Sequence, residues 1–435
     1  MEIKLKDERL EKRWLFLVRS QMKVSSSLAA GVGGLPTFTA SFSATQAAWR
    51  FYSNERIEFP ELVAPLRNYV QTQVSSTNSA FLIVAHDWSK LSFPGHDSRS
   101  DMAKLSSETD IGYEATVSLA INADNGAPLA PVEMHLKTGN GILSTRVGEV
   151  RDSIHLDQVL PTMQASLGWN LGKPMLHIID READSLRHYR EWDAAGHKFL
   201  VRADDRRVLF NGVQMKLSEI RREVESQGGF QTAGPAKYHD RAARLEVAEV
   251  AVVLHLAGRK TVEKKRINVP GEPLSMRLIL TRVVDEEGKQ LAMWYLLTNA
   301  PLEWADAAKL ARCYYWRWRI ETYFKLLKSH GFQLENWLQE TAEAILRRIL
   351  TVSMAAVTVW HLMADESPEA TEFKQILIRL SGRQTKRSRP FTAPALLAGL
   401  CSLLAMMATL EKYDLNSLGA LISKIQLPVS LLSSG

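Results

Sequence analysis

Two aspartates follow short apolar segments and are candidates for binding a metal ion. Asp87 follows residues 82–86 and Asp180 follows residues 176–179. Each segment predicts a strand that gives way to a loop at the aspartate, and ligands collect at such strand ends in α/β sheets. Two carboxylates within a few Å of each other repel unless a divalent cation such as Mg²⁺ or Mn²⁺ binds both. A single aspartate after a strand is more often a turn or helix-cap residue, so a third group is needed.

The segment CYYWRWRIETYFKLLKSHG predicts a helix that could supply the third carboxylate. At about 100° of rotation per residue, five polar residues share one narrow face: Tyr314, Arg317, Glu321, Lys325 and Lys328. A single acid among cations on one helix face indicates a functional site. An exposed Arg317/Glu321 ion pair, worth only a few tenths of a kcal/mol, explains the pattern equally well.

The spacing on this helix resembles a known signature. Tyr314, Arg317, Glu321 and Lys328, with two, three and six residues between them, match the Tyr-Arg-Glu-Lys signature of bacterial insertion-sequence transposases of the DDE class. The matching branch of that class has a ribonuclease H-like core with a β-rich insertion before the last acid. The resemblance covers nearly the whole chain.

Both aspartates lie in segments that resemble motifs of the same branch. Asp180 opens the sequence DREAD, which is similar to the second-aspartate motif, and VAHDWSKLSF around Asp87 resembles the first. The first motif departs from its relatives, because Trp88 and Ser89 stand where two threonines are common. Glu182 and Asp184 are expected either to support the site by hydrogen bonds or to form a salt bridge with Arg181 or another neighbour.

The resemblance implies a metal-dependent DNA transposase. Asp87, Asp180 and Glu321 would be the catalytic residues and would bind two Mg²⁺ or Mn²⁺ ions for phosphoryl transfer. The implied reaction nicks one strand, forms and opens a DNA hairpin, and joins the freed 3′ end to target DNA.

Six further residues are implied to contact DNA, and two of them have a simpler explanation. The set is Tyr314, Arg317, Lys325, Lys328, Arg202 and Trp294. Trp294 would stack on a flipped-out base, although a tryptophan in an apolar strand is also typical of a core residue. Arg202 would support the same DNA strand, or be an ordinary surface residue.

Five segments must position these residues. We expect a helical DNA-end-binding region at 1–74, core segments at 75–194 and 299–365, a β-rich insertion at 195–298, and a helical dimerisation region at 366–435. The fold class is therefore α/β, with a mixed sheet flanked by helices. Basic residues at 259–266 and 381–390 either bind DNA or keep their loops soluble.

Composition agrees with a soluble DNA-binding protein. The 435 residues carry a formal net charge of +6, which permits a polyanionic partner without requiring one. The two cysteines exclude a disulfide framework and favour the cytoplasm, where we expect a nucleoid-associated protein. Residues 391–410 lack charges, and a buried helix explains them better than a membrane span.

The expected partners are transposon-end and target DNA, bound by a homodimer, with no membrane. Two other functions remain open from the sequence. A ribonuclease H-like nuclease would cut DNA without joining it, and a non-cutting relative would bind DNA and inhibit transposition. An intact set of three acids argues against the second, and the β-rich insertion argues mildly against a minimal nuclease.

Overall fold

The computed structural model describes residues 3–23, 38–93, 98–106, 110–148, 150–239, 241–262, 265–383, 391–411 and 413–424. Its helices are α1 (Glu8–Lys23), α2 (Phe38–Tyr52), α3 (Phe59–Val74), α4 (His155–Ser166), α5 (Leu186–Ala194), α6 (Leu217–Ser226), α7 (Ala307–Trp316), α8 (Arg319–Lys325), α9 (Ala342–Ala364), α10 (Pro368–Leu380), α11 (Ala393–Leu410) and α12 (Leu415–Lys424). Its strands are β1 (Leu82–Leu91), β2 (Ala103–Lys104), β3 (Ile111–Ile121), β4 (Pro128–Thr138), β5 (Gly141–Ser144), β6 (Met175–Ile179), β7 (Lys198–Ala203), β8 (Arg207–Phe210), β9 (Val213–Lys216), β10 (Gln231–Tyr238), β11 (Arg241–Leu254), β12 (Gly258–Val262), β13 (Lys265–Val269), β14 (Leu274–Val284) and β15 (Gln290–Thr298).

The chain divides into two units. The first contains Met1–Ile3, Phe59–Ser92 and Ser100–Phe324, and the second contains Lys4–Glu58, Phe93–Arg99 and Lys325–Gly435. The predicted helical region at 1–74 is shared between them, because α1 and α2 belong to the second unit and α3 to the first.

The first unit is built on one mixed sheet. In the described part of the chain this sheet has 13 strands: β5, β4, β3, β1, β6, β7, β15, β14, β11, β8 and β9 lie in order across it, β2 pairs with β3, and β10 pairs with β11. β1, β3 and β4 are antiparallel neighbours, whereas β6 is parallel to β1 and β7 is parallel to β6. This is a ribonuclease H-like arrangement, and the predicted α/β class is confirmed. β7 lies within the range predicted as the insertion and joins β6 to the other insertion strands through β15.

The two faces of this sheet carry different residues. Helices α4, α5 and α6 cover one face with a core that includes Met163, Trp192 and Ile220, packed against strand residues such as Val201 and Leu278. The register places Ala85 beside Ile178 and Ile178 beside Leu200, so these three residues form a row across β1, β6 and β7. Because side chains alternate along strands, this row points to the other face, which we call the site face.

The second unit is helical around α9. Its α1 packs on α9 and α11, and α2 packs on α1 and α9. Arg347 on α9 is buried and donates hydrogen bonds to the backbone oxygens of Ile57 and Tyr52 at 3.0 and 2.9 Å. The guanidinium thus provides hydrogen-bond donors for two backbone carbonyl oxygens, one at the end of α2 and one in the loop that follows it. No helix among the described residues is long and apolar enough to cross a bilayer.

Candidate active site

Asp87 lies within a strand rather than at its end. β1 continues to Leu91 because it pairs with β3 along its length, and Asp87 itself is opposite Val117. The parallel pairing with β6 stops earlier, at Ala85. The prediction that Asp87 begins a loop was therefore wrong, since one neighbouring strand ends there and the other does not. The Asp87 carboxylate accepts a hydrogen bond from the backbone N–H of Trp88 at 2.9 Å.

Asp180 is the first residue after β6, as predicted. It is the N-cap of a 3-10 helix, Arg181–Ala183, and its Oδ1 accepts a hydrogen bond from the backbone N–H of Glu182 at 2.9 Å. Asp180 follows Ile178 by two residues, as Asp87 follows Ala85. Since Ala85 and Ile178 are register partners, the two aspartates lie at neighbouring positions beside the site face.

Arg317 connects two of the three predicted acids. Its Nη1 donates to Oδ2 of Asp87 at 3.0 Å and its Nη2 donates to Oε1 of Glu321 at 2.9 Å. The Arg317 side chain is 8% exposed, against 16% for Asp87 and 33% for Glu321. The Arg317/Glu321 pair exists, but it is not the isolated exposed pair that the sequence left open, because the same guanidinium binds Asp87.

The helix that carries these residues is not continuous. α7 ends at Trp316, two turn residues follow, and α8 begins at Arg319. Residues Leu326–His330 then form a π-helix. A π-helix has wider turns than an α-helix, so the rotation of about 100° per residue that placed Lys328 on the face of Glu321 does not apply to it.

The charges around Asp87 perturb its ionisation. Burial raises its pKa to about 6, against the opposing effect of Arg317 and the Trp88 N–H, and the nearby charges of Asp180 and Glu321 add to the increase. For Arg317, burial acts to lower the pKa, but Tyr314 and the three carboxylates outweigh it and the pKa is raised. The guanidinium thus forms hydrogen bonds with Asp87 and Glu321, and the charge of Asp180 acts on it from nearby.

Three predicted DNA contacts border this cluster. Arg202 follows Leu200 by two residues on β7, so it lies in the same row as Asp87 and Asp180. Burial raises the pKa of Tyr314, and the nearby charges of Arg317 and Arg202 partly oppose that effect. Trp294 on β15 is 5% exposed and packs edge-on against Tyr314, with 5.4 Å between ring centroids. Its indole is a core side chain in this structure.

Lys325 and Lys328 belong to the second unit. Lys325 is the last residue of α8 and is exposed. Lys328 lies in the π-helix, where its Nζ is 3.5 Å from Oε1 of Glu335. Their roles as DNA contacts stay predictions.

The other acids of DREAD have partners that the sequence did not identify. Asp184 binds Arg206 at 2.7 Å and accepts a hydrogen bond from the Tyr189 hydroxyl at 2.7 Å. Glu182 lies 3.2 Å from Nε2 of His155. Both acids therefore form supporting contacts with residues outside the motif, and no signal in the sequence points to His155.

Whether the three acids suit a divalent ion depends on their donor atoms. Among the described residues, no three His, Cys, Asp or Glu side chains are grouped closely enough to hold a metal ion as they stand. Asp87, Asp180 and Glu321 nevertheless supply only carboxylate oxygens, which Mg²⁺ and Mn²⁺ prefer. Two of them, Asp87 and Glu321, form hydrogen bonds with the Arg317 guanidinium. Their donor chemistry fits divalent cations, and Arg317 is the cation with which an ion would compete.

Comparisons with known proteins identify the family of the chain. The family model described as transposase DDE domain matches residues 79–358, more than half of the chain. No curated protein matches the chain significantly. A solved structure of piggyBac transposase in a synaptic complex with hairpin DNA is similar at 10% identity and a TM-score of 0.36, covering 97% of this chain and 78% of the piggyBac chain. Similarity at that level says nothing about individual residues.

Proposed function

We propose that this chain, which belongs to the transposase DDE domain family, catalyses the cut-and-paste movement of an insertion sequence at its terminal inverted repeats. Members of this family generally depend on divalent metal ions. The substrate would be double-stranded DNA, first the transposon ends and then the target. One observation carries the proposal: the buried Arg317 guanidinium binds both Asp87 and Glu321, which come from distant segments, and the sheet register brings Asp180 beside Asp87.

The three acids are proposed to hold the catalytic ions. Two Mg²⁺ or Mn²⁺ ions bound there would activate the attacking oxygen and stabilise the leaving oxygen. The Trp88 N–H orients the Asp87 carboxylate and the Glu182 N–H orients the Asp180 carboxylate. Each aspartate therefore has one oxygen fixed by the backbone, which limits how the carboxylate can rotate.

The cations beside the acids are proposed to bind the scissile phosphate. Arg317 can form two parallel hydrogen bonds with phosphate oxygens, because its planar guanidinium carries several N–H donors. Arg202 lies in the same row of the sheet as the aspartates and adds a second positive charge. Together they would stabilise charge that develops on the phosphate as the bond to oxygen breaks.

Tyr314 is proposed to donate a hydrogen bond rather than act as a nucleophile. Its pKa is raised because its hydroxyl is buried, so the phenol keeps its proton at neutral pH. A protonated phenol is a weak nucleophile and a good donor to phosphate. The attacking groups would instead be water for the nick and the DNA 3′-OH for hairpin formation and strand transfer.

The remaining DNA contacts would be mainly electrostatic. Lys325 and Lys328 are proposed to bind the transposon-end backbone, which would make affinity fall with salt. Trp294 would stack on a flipped base only after leaving its packing against Tyr314. The helices at 366–435 are proposed to pair two protomers, each with one DNA end.

The test uses the full chain and a DNA fragment that carries the ends flanking its own reading frame. Wild type with Mg²⁺ or Mn²⁺ should nick the DNA, form hairpins and join the 3′ ends to a target plasmid, whereas Glu321→Gln should bind the same DNA without cutting it. Glu303→Gln, an exposed acid in the same unit, is the matched control and should cut normally.

Other results would separate the alternatives. Metal-dependent cutting without any joined product would favour the nuclease. Binding without cutting by wild type would favour the inhibitory relative. Equal cutting by wild type and Glu321→Gln would contradict the assignment of the three acids as catalytic residues.

A further inference from the structure

A histidine on the face of the sheet opposite the site face contacts residues that lie close to the two proposed catalytic aspartates in the sequence. His155 is the first residue of α4, and its ring stacks on the indole of Trp88 with 3.9 Å between centroids and 19° between planes. Trp88 directly follows Asp87, and alternation along the strand directs its side chain away from the site face. The backbone N–H of Trp88 is the donor to the Asp87 carboxylate.

The same imidazole contacts the turn that carries Asp180. Its Nε2 lies 3.2 Å from Oε1 of Glu182. Glu182 repeats the role of Trp88, because its backbone N–H donates to the Asp180 carboxylate at 2.9 Å. His155 therefore touches the side chains of the two residues whose amides orient the two aspartates.

The remaining ring nitrogen is anchored to the sheet. Nδ1 of His155 lies 3.0 Å from Oε1 of Glu114 on β3, and the two side chains are 16% and 19% exposed. Carboxylates only accept hydrogen bonds, so an imidazolium satisfies both nitrogens at once. Burial acts to lower the pKa of His155, but Glu114 and Glu182 outweigh it and the pKa is raised.

We infer that His155 is a positioning residue that fixes Asp87 and Asp180 relative to each other by clamping Trp88 and Glu182. This inference rests on the proposed function, since it assigns those aspartates as metal ligands. The pairing of β1 with β6 ends at Ala85 and Ile178, and beyond that point a small shift between the strand and the 3-10 turn would change the separation of the two carboxylates. Residues that orient metal ligands without contacting the metal themselves typically contribute about 10- to 100-fold to metal affinity.

The clamp depends on the aromatic face of Trp88, on which the imidazole of His155 stacks. An imidazole stacked on an indole holds the strand by a large flat contact.

The test measures Mn²⁺ binding to the full-length protein by electron paramagnetic resonance, without DNA or catalysis. Asp180→Asn defines the signal that belongs to the site. His155→Ala should weaken Mn²⁺ binding by about tenfold. His155→Gln keeps an amide donor but not the ring, so its Mn²⁺ affinity should lie between those of wild type and His155→Ala.

His188→Ala is the matched control. His188 also stacks on a tryptophan, Trp192, at 5.5 Å and lies 3.4 Å from the carboxylate of Asp157. It has the same kind of contacts in the same unit, with other partners. Its loss should lower thermal stability and leave Mn²⁺ affinity unchanged, which separates positioning from general destabilisation.

Two results would overturn the inference, and only one of them would also contradict the proposed function. Equal Mn²⁺ affinity in His155→Ala and His188→Ala would refute the clamp and leave the proposed function intact. If wild type binds Mn²⁺ no better than Asp180→Asn does, both the clamp and the proposed function are refuted. If His155→Ala does not fold, Glu182→Gln replaces it, because Glu182 is half exposed; unchanged affinity in that variant would equally refute the clamp.

Discussion

Arg317 donates a hydrogen bond from Nη1 to Oδ2 of Asp87 across 3.0 Å, although the two residues lie 230 positions apart. The contact joins the helix that carries the signature to the strand that carries the first aspartate. It also gives Asp87 a cationic partner in the absence of an ion, which offsets part of the cost of burying its charge.

Arg317 should compete with divalent ions for the acids. Replacing it with glutamine removes the guanidinium from Asp87 and Glu321, and we expect Mn²⁺ to bind about tenfold more tightly, equivalent to a coupling of about 1.4 kcal/mol. DNA cleavage should nevertheless fall, because the phosphate loses a bidentate donor. Calorimetric titration with Mn²⁺ checks the affinity, with Arg317→Lys as the charge-retaining comparison. Weaker Mn²⁺ binding in Arg317→Gln would contradict competition.

Trp294 should contribute mainly to packing in the absence of DNA. Trp294→Ala should lower the free energy of unfolding by about 3 to 5 kcal/mol, the usual cost of truncating a buried tryptophan. Trp294→Phe retains an aromatic ring and should cost considerably less. Denaturant unfolding measures both variants. A loss below about 1 kcal/mol in Trp294→Ala would mean that the ring is not packed as observed.

Glu133 should make stability depend on acidic pH. It is fully buried and binds Arg146 at 2.7 Å and His135 at 2.8 Å. Burial alone would raise its pKa, but these two partners outweigh burial and the pKa is lowered from 4.5. A carboxyl whose pKa is lower in the folded state stabilises the fold above its unfolded pKa, and this contribution is lost as pH falls through the folded pKa.

Glu133→Gln should therefore flatten the acid limb of the stability profile. At neutral pH it should destabilise the protein by about 3 to 5 kcal/mol, because the largely buried ion pair between Glu133 and Arg146 is broken. Urea unfolding at pH values from 7 down to below the unfolded pKa measures both effects, with the exposed Glu303→Gln as reference. Parallel profiles for wild type and Glu133→Gln would rule out this role.

Tyr315 should hold β10 against α7. Its hydroxyl accepts a hydrogen bond from the Lys237 N–H at 3.0 Å and donates one to the Lys237 carbonyl oxygen at 3.1 Å. Tyr315→Phe should cost about 1 to 2 kcal/mol, the loss of two exposed hydrogen bonds. Hydrogen exchange at the Lys237 amide should accelerate. Tyr238→Phe, on the same strand, should leave that exchange unchanged; equal acceleration in both variants would argue against the contact.

Local patterns were sufficient to predict most elements. Short apolar segments predicted β1 and β6, and the spacing of Arg317 and Glu321 predicted that these two side chains meet, although Arg317 lies in the turn before α8. These features depend on neighbours within a few residues, where chain geometry determines which side chains meet.

Pairing between distant strands decided the rest. β1 extends past Asp87 because β3 continues beside it, and the π-helix at Leu326–His330 has no periodic signature in the sequence. The sequence alone could not show that Arg317 binds Asp87, or that His155 contacts Trp88 and Glu182. Sheet register and helix packing bring these residues together, and such contacts form between side chains whose separation along the chain carries no information about their distance in space.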